Sequence, residues 1–222
     1  MEPLESRNYP SSAGAISMAR PSVLLLFVFT LSIVGAASAQ KHEVAVLLGG
    51  LKTGDRSILD SGSGSIQINA GFTVETSYAQ RLANAHLASL YIELPLTITP
   101  TSNLKPSTAL VPKSYSAWFL TPGLKLKLFP VAGLSPYVVL GGGVGHFGSS
   151  GTTAGNTPNT GSRGSTSGVV DFGGGVEVRL APFAALRGEI RDFASGNPDF
   201  NVAVSGGRQH NILVGAGLAL RF

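Results

Sequence analysis

The sequence contains no cysteine and few charged residues. The absence of cysteine from all 222 residues excludes disulfides, thiolate catalysis and Cys-ligated metal sites, and also a lipoprotein anchor on cysteine. Charged residues make up only 13% of the chain, about half the share in ordinary soluble domains, whereas hydrophobic residues make up 43%. The 29 glycines are spread through the apolar stretches as well as the polar ones. This composition is typical of a protein with much of its surface in lipid.

The sequence also has no cluster of basic residues, although its formal net charge is +4. Its lysines and arginines are scattered and are not interleaved with aromatic residues, so we expect no nucleic-acid partner. The glycine-rich stretch at residues 140–145 lacks the lysine and the helix that follow a phosphate-binding loop. No set of His, Asp and Glu has metal-ligand spacing either. We therefore expect neither a cofactor nor a metal.

Residues 21–37 form the only long uncharged apolar run of the chain. Arg20 precedes this run, and Ala37, Ser38 and Ala39 follow it as a small-residue cleavage site. The pattern predicts a signal peptide at residues 18–39, cleaved after Ala39. The alternative, a transmembrane anchor, is disfavoured because the run is shorter than the ~20 residues that span a bilayer. Residues 1–17 are polar, and we interpret them as a non-native N-terminal extension that precedes a start at Met18.

Residues 40–222 consist of alternating apolar and polar segments separated by Gly, Pro, Ser and Asn clusters. In the clearest segment, residues 88–99, one face carries Leu90, Ile92, Leu94, Leu96 and Ile98, and the other carries Tyr91, Glu93, Pro95 and Thr97. A period of two is typical of strands with two different faces. Eight such segments occur, of which the first and the fifth are less regular: 41–51, 65–76, 88–99, 114–129, 136–147, 168–180, 184–193 and 209–222. They predict an all-β fold, a transmembrane up-and-down antiparallel β-barrel of about eight strands.

The connections between these segments alternate in length. Long polar connections span residues 52–64, 100–113, 148–167 and 195–208, and short ones span residues 81–86, 130–135 and 181–183. Transmembrane barrels have short periplasmic turns and long outer loops. The alternation therefore favours a membrane barrel over a soluble barrel with its apolar face inward.

The polar faces of the segments carry both signs of charge in equal number. The acids are Glu43, Glu75, Glu93, Asp171, Glu177 and Glu189, and the bases are Lys125, Lys127, Arg179, Arg187, Arg191 and Arg221. An eight-stranded barrel leaves room for side chains but little water, so unpaired charges inside it are costly. We therefore predict a charge network in the lumen, in which the tight turn at residues 181–183 brings Glu177 or Arg179 near Arg187 or Glu189. Its predicted members are Glu93, Lys125, Lys127, Asp171, Glu177, Arg179, Arg187, Glu189 and Arg191.

Three stretches of the chain resemble small outer-membrane barrels. The C-terminal segment HNILVGAGLALRF, which ends in Phe222, resembles the assembly signal of such barrels. The stretches YIELPL, FGGGVEVRL and LRGEIRDF resemble the third, sixth and seventh strands of barrels like the OmpA transmembrane domain. The resemblance implies residence in a Gram-negative-type bacterial outer membrane among its lipids, and insertion by the barrel-assembly machinery. It also implies an assembly signal formed by Leu218, Leu220 and Phe222.

The sequence carries no local catalytic motif. Some small barrels are lipid A-modifying acyl hydrolases or transferases, and His146, with Ser149 or Ser150 and Asp192 or Asp199, could supply such a set. The spacing of His-Phe-Gly-Ser does not match the short His-to-Ser spacing expected of the deacylases, so we expect no enzymatic activity. We predict a structural or surface-interaction role in the cell envelope, with four long outer loops that contact an unknown ligand. The alternatives are a lipid A-modifying enzyme and a narrow, low-conductance pore.

Overall fold

The computed structural model describes residues 41–59 and 64–222. The expected N-terminal extension and signal peptide lie outside the described residues. The described residues form eleven strands: β1 (His42–Thr53), β2 (Arg56–Ser57), β3 (Ser65–Ile68), β4 (Gly71–Asn84), β5 (Ala88–Pro106), β6 (Ser114–Leu120), β7 (Gly123–Leu128), β8 (Leu134–Ser149), β9 (Gly164–Ala181), β10 (Ala184–Ser195) and β11 (Gln209–Arg221). Within those two ranges, no helix has the length and apolar character needed to cross a membrane.

The long strands close into a ring. Each pairs antiparallel with its neighbours, and β1 closes the ring by pairing with both β4 and β11. Between β5 and β8 lie β6 and β7, which are two halves of one barrel strand interrupted at Thr121 and Pro122. Proline has no N–H to give to the ladder, so regular pairing stops there. With β6 and β7 counted as one, the ring has eight strands, which confirms the predicted antiparallel up-and-down barrel.

The two ends of the ring differ. Short connections at residues 85–87, 129–133 and 182–183 lie at one end, together with the first and last residues of the ring. We call this the turn end. Long connections at residues 54–70, 107–113, 150–163 and 196–208 lie at the other end, which we call the loop end. The expected alternation of long and short connections is therefore present.

The apolar side chains of the ring point outward. On β7, Leu124, Leu126 and Leu128 are 39–49% exposed, whereas Lys125 and Lys127 between them are at most 1% exposed. The same alternation holds on β11, where Ile212, Val214, Leu218 and Leu220 are exposed. A soluble barrel would have the opposite arrangement, since exposed apolar rows would contact water. The ring therefore has the inside–outside pattern of a transmembrane barrel.

The predicted position of the second barrel strand, residues 65–76, is wrong. Residues 65–76 do not form one barrel strand: β4 begins at Gly71, and the preceding residues form β3, which pairs with β2 and with the loop end of β5. Ile66 and Ile68 lie on the apolar face of segment 65–76 and would face lipid in a barrel strand, but both are fully buried. Phe72, further along, does face outward and is 61% exposed. The strand β3 has the same period of two as a barrel strand, so the pattern alone does not separate them.

Candidate functional site in the lumen and at the outer rim

A charged cluster fills the lumen near the turn end. The carboxylate of Glu43 on β1 accepts hydrogen bonds from Lys125 Nζ at 2.5 Å and from Lys127 Nζ at 2.6 Å. Arg187 and Arg221 also donate to Glu43, and both donate to Glu177. Lys127 Nζ lies 2.7 Å from Glu177 Oε2. Two acids are thus surrounded by four bases, and the ion pairs join β1, β7, β9, β10 and β11.

The network continues into the middle of the barrel through Glu93 on β5. Glu93 accepts from Lys125 Nζ at 3.1 Å and from Arg191 Nη2 at 3.1 Å. The same guanidinium donates to Asp171 Oδ2 at 3.0 Å and to Glu189 Oε1 at 2.8 Å. Apart from Arg221, which is 10% exposed, these charged side chains are at most 4% exposed. The structure therefore brings together every predicted network member except Arg179.

Glycines on β9 make room for this network. Tyr137 on β8 donates its hydroxyl to Glu189 Oε2 at 2.6 Å, and Gly175 lies beside the phenol ring. A Cβ built on Gly175 would lie 2.5 Å from the Tyr137 hydroxyl oxygen, far inside van der Waals contact. Glycine is therefore needed at this position for the tyrosine to reach the network, a requirement that the GGG sequence satisfies.

The expectation that Arg179 belongs to the lumen network is wrong. Its side chain is exposed at the turn end, and its Nη2 donates to the backbone carbonyl of Pro130 at 2.7 Å. Glu189 faces Gly175 across the strand pair, so it is too far along β10 to meet Arg179, whereas Glu177 faces Arg187 directly. Arg179 lies near the turn end of β9, and a long side chain beside a turn can leave the lumen and donate to a carbonyl of the turn.

Among the residues that the structure describes, the lumen consequently holds one acid more than it holds bases. The acids are Glu43, Glu75, Glu93, Asp171, Glu177 and Glu189, and the bases are Lys125, Lys127, Arg187, Arg191 and Arg221. Glu75 has the weakest pairing: its Oε1 lies 3.8 Å from Arg191 Nη2 and has no hydrogen-bond partner in the described structure, while its Oε2 accepts from Thr97 Oγ1 at 2.9 Å. We expected equal numbers of acids and bases in the lumen. This expectation is wrong because Arg179 lies outside the lumen.

An apolar layer fills the loop-end half of the lumen. The rings of Phe119 and Phe193 stack with centroids 4.8 Å apart, and Phe147 packs edge-on against Phe119 at 5.7 Å. Residues of the long connections pack onto this layer and bury it from above: Ile58, Ile66, Ile68, Val111 and Phe200, with Val202 and Val204 beside them. The lumen is thus filled by charged side chains near the turn end and by apolar side chains near the loop end. The alternation of residues did not predict this layer. Segment 136–147, which carries apolar residues or glycine on both faces, is consistent with an apolar part of the lumen.

Polar contacts attach the first long connection to the loop end. Arg56 Nε donates to Gln209 Oε1 at 2.8 Å, and its Nη2 donates to the carbonyl of Arg208 at 2.7 Å. Burial lowers the pKa of the Arg56 guanidinium. The N–H of Ile68 donates to Asp55 Oδ1 at 2.9 Å, and this bond, with Lys52 beside it, lowers the pKa of that carboxyl. The described residues of this connection are therefore a folded part of the loop end.

Aromatic side chains mark both rims of the outer surface. At the turn end, the His42 ring stacks between Tyr78 and Phe222, at 5.9 and 5.7 Å. Near the loop end, Trp118 stacks on His146 at 5.8 Å. Aromatic residues at both membrane interfaces are usual in transmembrane barrels. The two rims thus delimit an apolar band.

The C-terminal residues lie on the outward face. Leu218, Leu220 and Phe222 are 53, 45 and 41% exposed, and the first two pair with Val46 and Val44 of β1 where the ring closes. The backbones of Phe222 and His42 exchange two hydrogen bonds of 3.0 Å. Their role as an assembly signal stays a prediction.

The proposed catalytic set is not assembled. His146 Nδ1 is bonded to Thr166 Oγ1 at 2.8 Å, whereas Ser149 and Ser150 donate to the backbone carbonyls of Asp199 and Thr152. Asp192 Oδ2 is bonded to His210 at 2.7 Å instead of to His146. In the described ranges, no three His, Asp or Glu residues are grouped so that they could hold a metal ion. The arrangement gives no nucleophile activated by a histidine.

Comparison with known proteins supports the fold only. No protein-family profile and no curated protein sequence matches the chain. Among solved structures, Neisserial surface protein A (NspA) is similar with a TM-score of 0.53 and 14% identity, over 82% of this chain and 97% of that one. The outer membrane protein OprG of Pseudomonas aeruginosa has a TM-score of 0.47 and 13% identity, over 83% and 96% of the two chains. The outer membrane enzyme PagL has a TM-score of 0.43 and 12% identity, over 81% and 99%. At this identity, the likeness to NspA establishes a shared small-barrel fold and selects no function.

Proposed function

We propose that the chain is a bacterial outer-membrane protein with a structural or surface-interaction role. Its closed barrel supports a folded platform of outer loops. The apolar outer band between two aromatic rims suits a bilayer, and the long connections all lie at one end. The C-terminal Leu218, Leu220 and Phe222 suit recognition by the barrel-assembly machinery of a Gram-negative-type envelope, as the resemblance to OmpA-like barrels implies.

The observation that carries this proposal is the packing of the loops onto the lumen. Ile58, Val111 and Phe200 are at most 7% exposed and belong to the same apolar cluster as Phe119 and Phe193 of the barrel wall. Burial of each such side chain contributes about 1.5–3 kcal/mol relative to exposure. The described parts of three of the four long connections are therefore held against the barrel, which suits the presentation of a surface to a partner.

The same packing opposes the pore alternative. An aqueous path would have to cross both the stacked phenylalanines and the paired charges, whose side chains are almost completely buried. Eight strands leave space for side chains and little else, whereas water-filled porins use about 16 or more. The charged lumen is thus a structural filling, and we assign it no conduction.

The test of the proposal has two parts. Outer membranes from expressing cells are separated and run on a gel with and without heating, and a folded barrel migrates faster before heating. The folded protein is then treated with protease in the membrane. Ordered loops resist cleavage, whereas Phe200→Ser, which weakens the apolar layer, exposes them; Leu110→Ser, at a side chain that is 64% exposed, is the control. Fractionation with the inner membrane or rapid loop cleavage of the unmodified protein would contradict the proposal.

A further inference from the structure

A groove lies on the outward side of the barrel near the loop end. It has a volume of about 220 Å³ and is lined by residues of β5, β6 and β8 and by the segment that follows β8: Pro100, Ser114, Tyr115, Ser116, Gly148, Ser149 and Ser150. The groove forms where the pairing of β5 with β6 shifts between Thr99 and Ser102. Such a bulge disrupts the ladder locally and bends the strand, here opening a space beside Ser116.

The groove is lined by hydroxyl groups, and two cationic residues, Lys113 and Arg163, are neighbours of its lining residues. Ser114 and Ser116 share the outward side of β6 with Trp118, and Ser150 lies above them. Lys113 directly precedes Ser114 and is exposed, and its N–H donates to Ser150 Oγ at 3.1 Å. The guanidinium of Arg163 lies over Gly151, where an added Cβ would be 3.2 Å from Nη2. No ion pair within the described ranges involves Lys113 or Arg163.

One acid, Asp199, is connected to the groove through its backbone carbonyl. Ser149 reaches the backbone carbonyl of Asp199, and the carboxylate of Asp199 accepts the N–H of Asn201 at 3.0 Å. The groove thus has hydroxyl oxygens in its lining, and two cationic residues lie next to that lining. Lysine, arginine and serine are the side chains that bind phosphate oxygens, through charge-assisted and neutral hydrogen bonds.

The position of the groove determines which phosphate could reach it. Ser116 pairs with Gly148, and the next outward pair toward the membrane is Trp118 with His146. Beyond them, the outward residues Leu120 and Val144 belong to the apolar band. A strand rises about 3.3 Å per residue, so the groove begins within about 7 Å of the Trp118–His146 pair. A molecule with its acyl chains along the apolar band would place its headgroup in the groove.

We propose that this groove binds the phosphorylated saccharide headgroup of an outer-leaflet lipid. Lys113 and Arg163 pair with the phosphate, and Ser114 donates its hydroxyl to a phosphate or sugar oxygen. The hydroxyl of Ser116 already donates to the carbonyl of Gly148, so it accepts from a sugar hydroxyl. Trp118 packs against the saccharide or the adjoining chain. The site rests on the proposed outer-membrane location for its biological ligand, but it can be measured in detergent without any membrane. The groove would give the barrel a specific lipid-binding site, which the proposed structural or surface-interaction role does not require.

The test measures binding of purified bis-phosphorylated lipid A to the folded protein in detergent, by native mass spectrometry at several lipid concentrations. The double variant K113A/R163A should weaken binding at least about tenfold, since two charge-assisted contacts are lost. The matched control K41A/R179A removes two exposed cations at the turn end, at the opposite end of the barrel from the groove, and should leave binding unchanged. Ser116→Trp, which fills the groove, should also weaken binding. A gel with and without heating verifies that each variant is folded.

Three further outcomes distinguish the source of the phosphate and the site. Dephosphorylated lipid A should bind as weakly as the double variant does, and inorganic phosphate alone should compete only at concentrations far above those of the lipid. If the control double variant weakened lipid binding as much as K113A/R163A does, the lipid would be attracted to cations in general, and the proposal would be overturned. Competition by inorganic phosphate at the concentration of the lipid would overturn the lipid assignment. Unchanged binding by both K113A/R163A and Ser116→Trp would overturn the site itself, whatever the cellular location of the protein.

Discussion

Arg187 on β10 lies directly across the strand pair from Glu177 on β9, and its Nη2 donates to Glu177 Oε1 at 2.7 Å. Both side chains are fully buried, and Arg187 also reaches Glu43 on β1, two strands further around the ring. One guanidinium thus connects β10 to β9 and β1. Replacing a whole buried ion pair by apolar residues can be neutral, whereas removing one partner leaves a buried charge unpaired. The network therefore makes each of its members individually important.

Arg187→Ala should lower the free energy of unfolding by about 3–5 kcal/mol, because Glu43 and Glu177 each lose a donor in a buried site. Arg179→Ala is the matched control on the neighbouring strand. Its side chain is exposed and bonds only to a turn carbonyl, so we expect a change within about 0.5 kcal/mol. Urea unfolding in lipid vesicles, followed by the fluorescence of the single tryptophan, measures both. Equal losses in the two variants would contradict the assignment of Arg179 to the outside.

Glu75→Gln should be tolerated, with a change in unfolding free energy within about 1 kcal/mol. The lumen has an excess acid, and Glu75 Oε1 has no hydrogen-bond partner in the described structure, so neutralising this residue removes little pairing. Glu93→Gln is the contrasting variant, since Glu93 pairs with Lys125 and Arg191, and it should cost several kcal/mol. The same urea titration compares them. A larger loss for Glu75→Gln than for Glu93→Gln would contradict this account of the charge balance.

Leu94→Arg should destabilise the barrel by about 2–4 kcal/mol, because it places a guanidinium on the outward face in the middle of β5. Leu134→Arg is the control on the same face at the turn end, where the arginine can reach the interface, and should cost about 0–1 kcal/mol. Unfolding in vesicles measures the difference. Similar costs at the two depths would mean that the apolar band does not lie in lipid.

Phe222→Asp should leave unassembled protein in the periplasm, because it removes the terminal aromatic residue of the predicted assembly signal and its stacking on His42. Phe183→Asp is the control: Phe183 is an exposed phenylalanine in the β9–β10 turn, at the same end of the barrel. Heat-modifiability gels of the outer-membrane fraction report assembly. Normal assembly of Phe222→Asp, or equal failure of Phe183→Asp, would remove the assembly role of the terminus.

The alternation of residues was sufficient to predict the ring and most of its inside–outside pattern. On β7, Lys125 and Leu126 follow each other with opposite exposure, as a period of two requires. The pattern failed at Ile66 and Ile68, because a short strand in a loop has the same alternation as a strand of the ring. It failed at Arg179 because distance from the turn, and not the side of the strand alone, decides where a long side chain ends.

Features formed by distant residues could not be predicted from any one segment. The apolar layer combines Phe119, Phe193 and Phe200 from two strands and a loop, and it exists only once the ring has closed. The groove beside Ser116 likewise depends on the bulge in β5, which shifts the register by an amount that the sequence pattern does not determine. Local periodicity specifies faces, whereas closure and register decide which inward residues meet.

Single cysteines can measure whether side chains fill the lumen and exclude water from it, because the chain has no cysteine of its own. Ala117→Cys and Ala219→Cys replace inward side chains that are at most 2% exposed, one in the apolar layer and one near the turn end, and Ala109→Cys lies in an exposed loop. The measurement is the labelling rate of each variant by a small, charged, water-soluble thiol reagent in the folded barrel in vesicles. We expect rapid labelling at residue 109 and labelling at residues 117 and 219 only after unfolding. Rapid labelling of the folded barrel at residue 117 or residue 219 would show water in the lumen and would contradict a lumen filled by side chains.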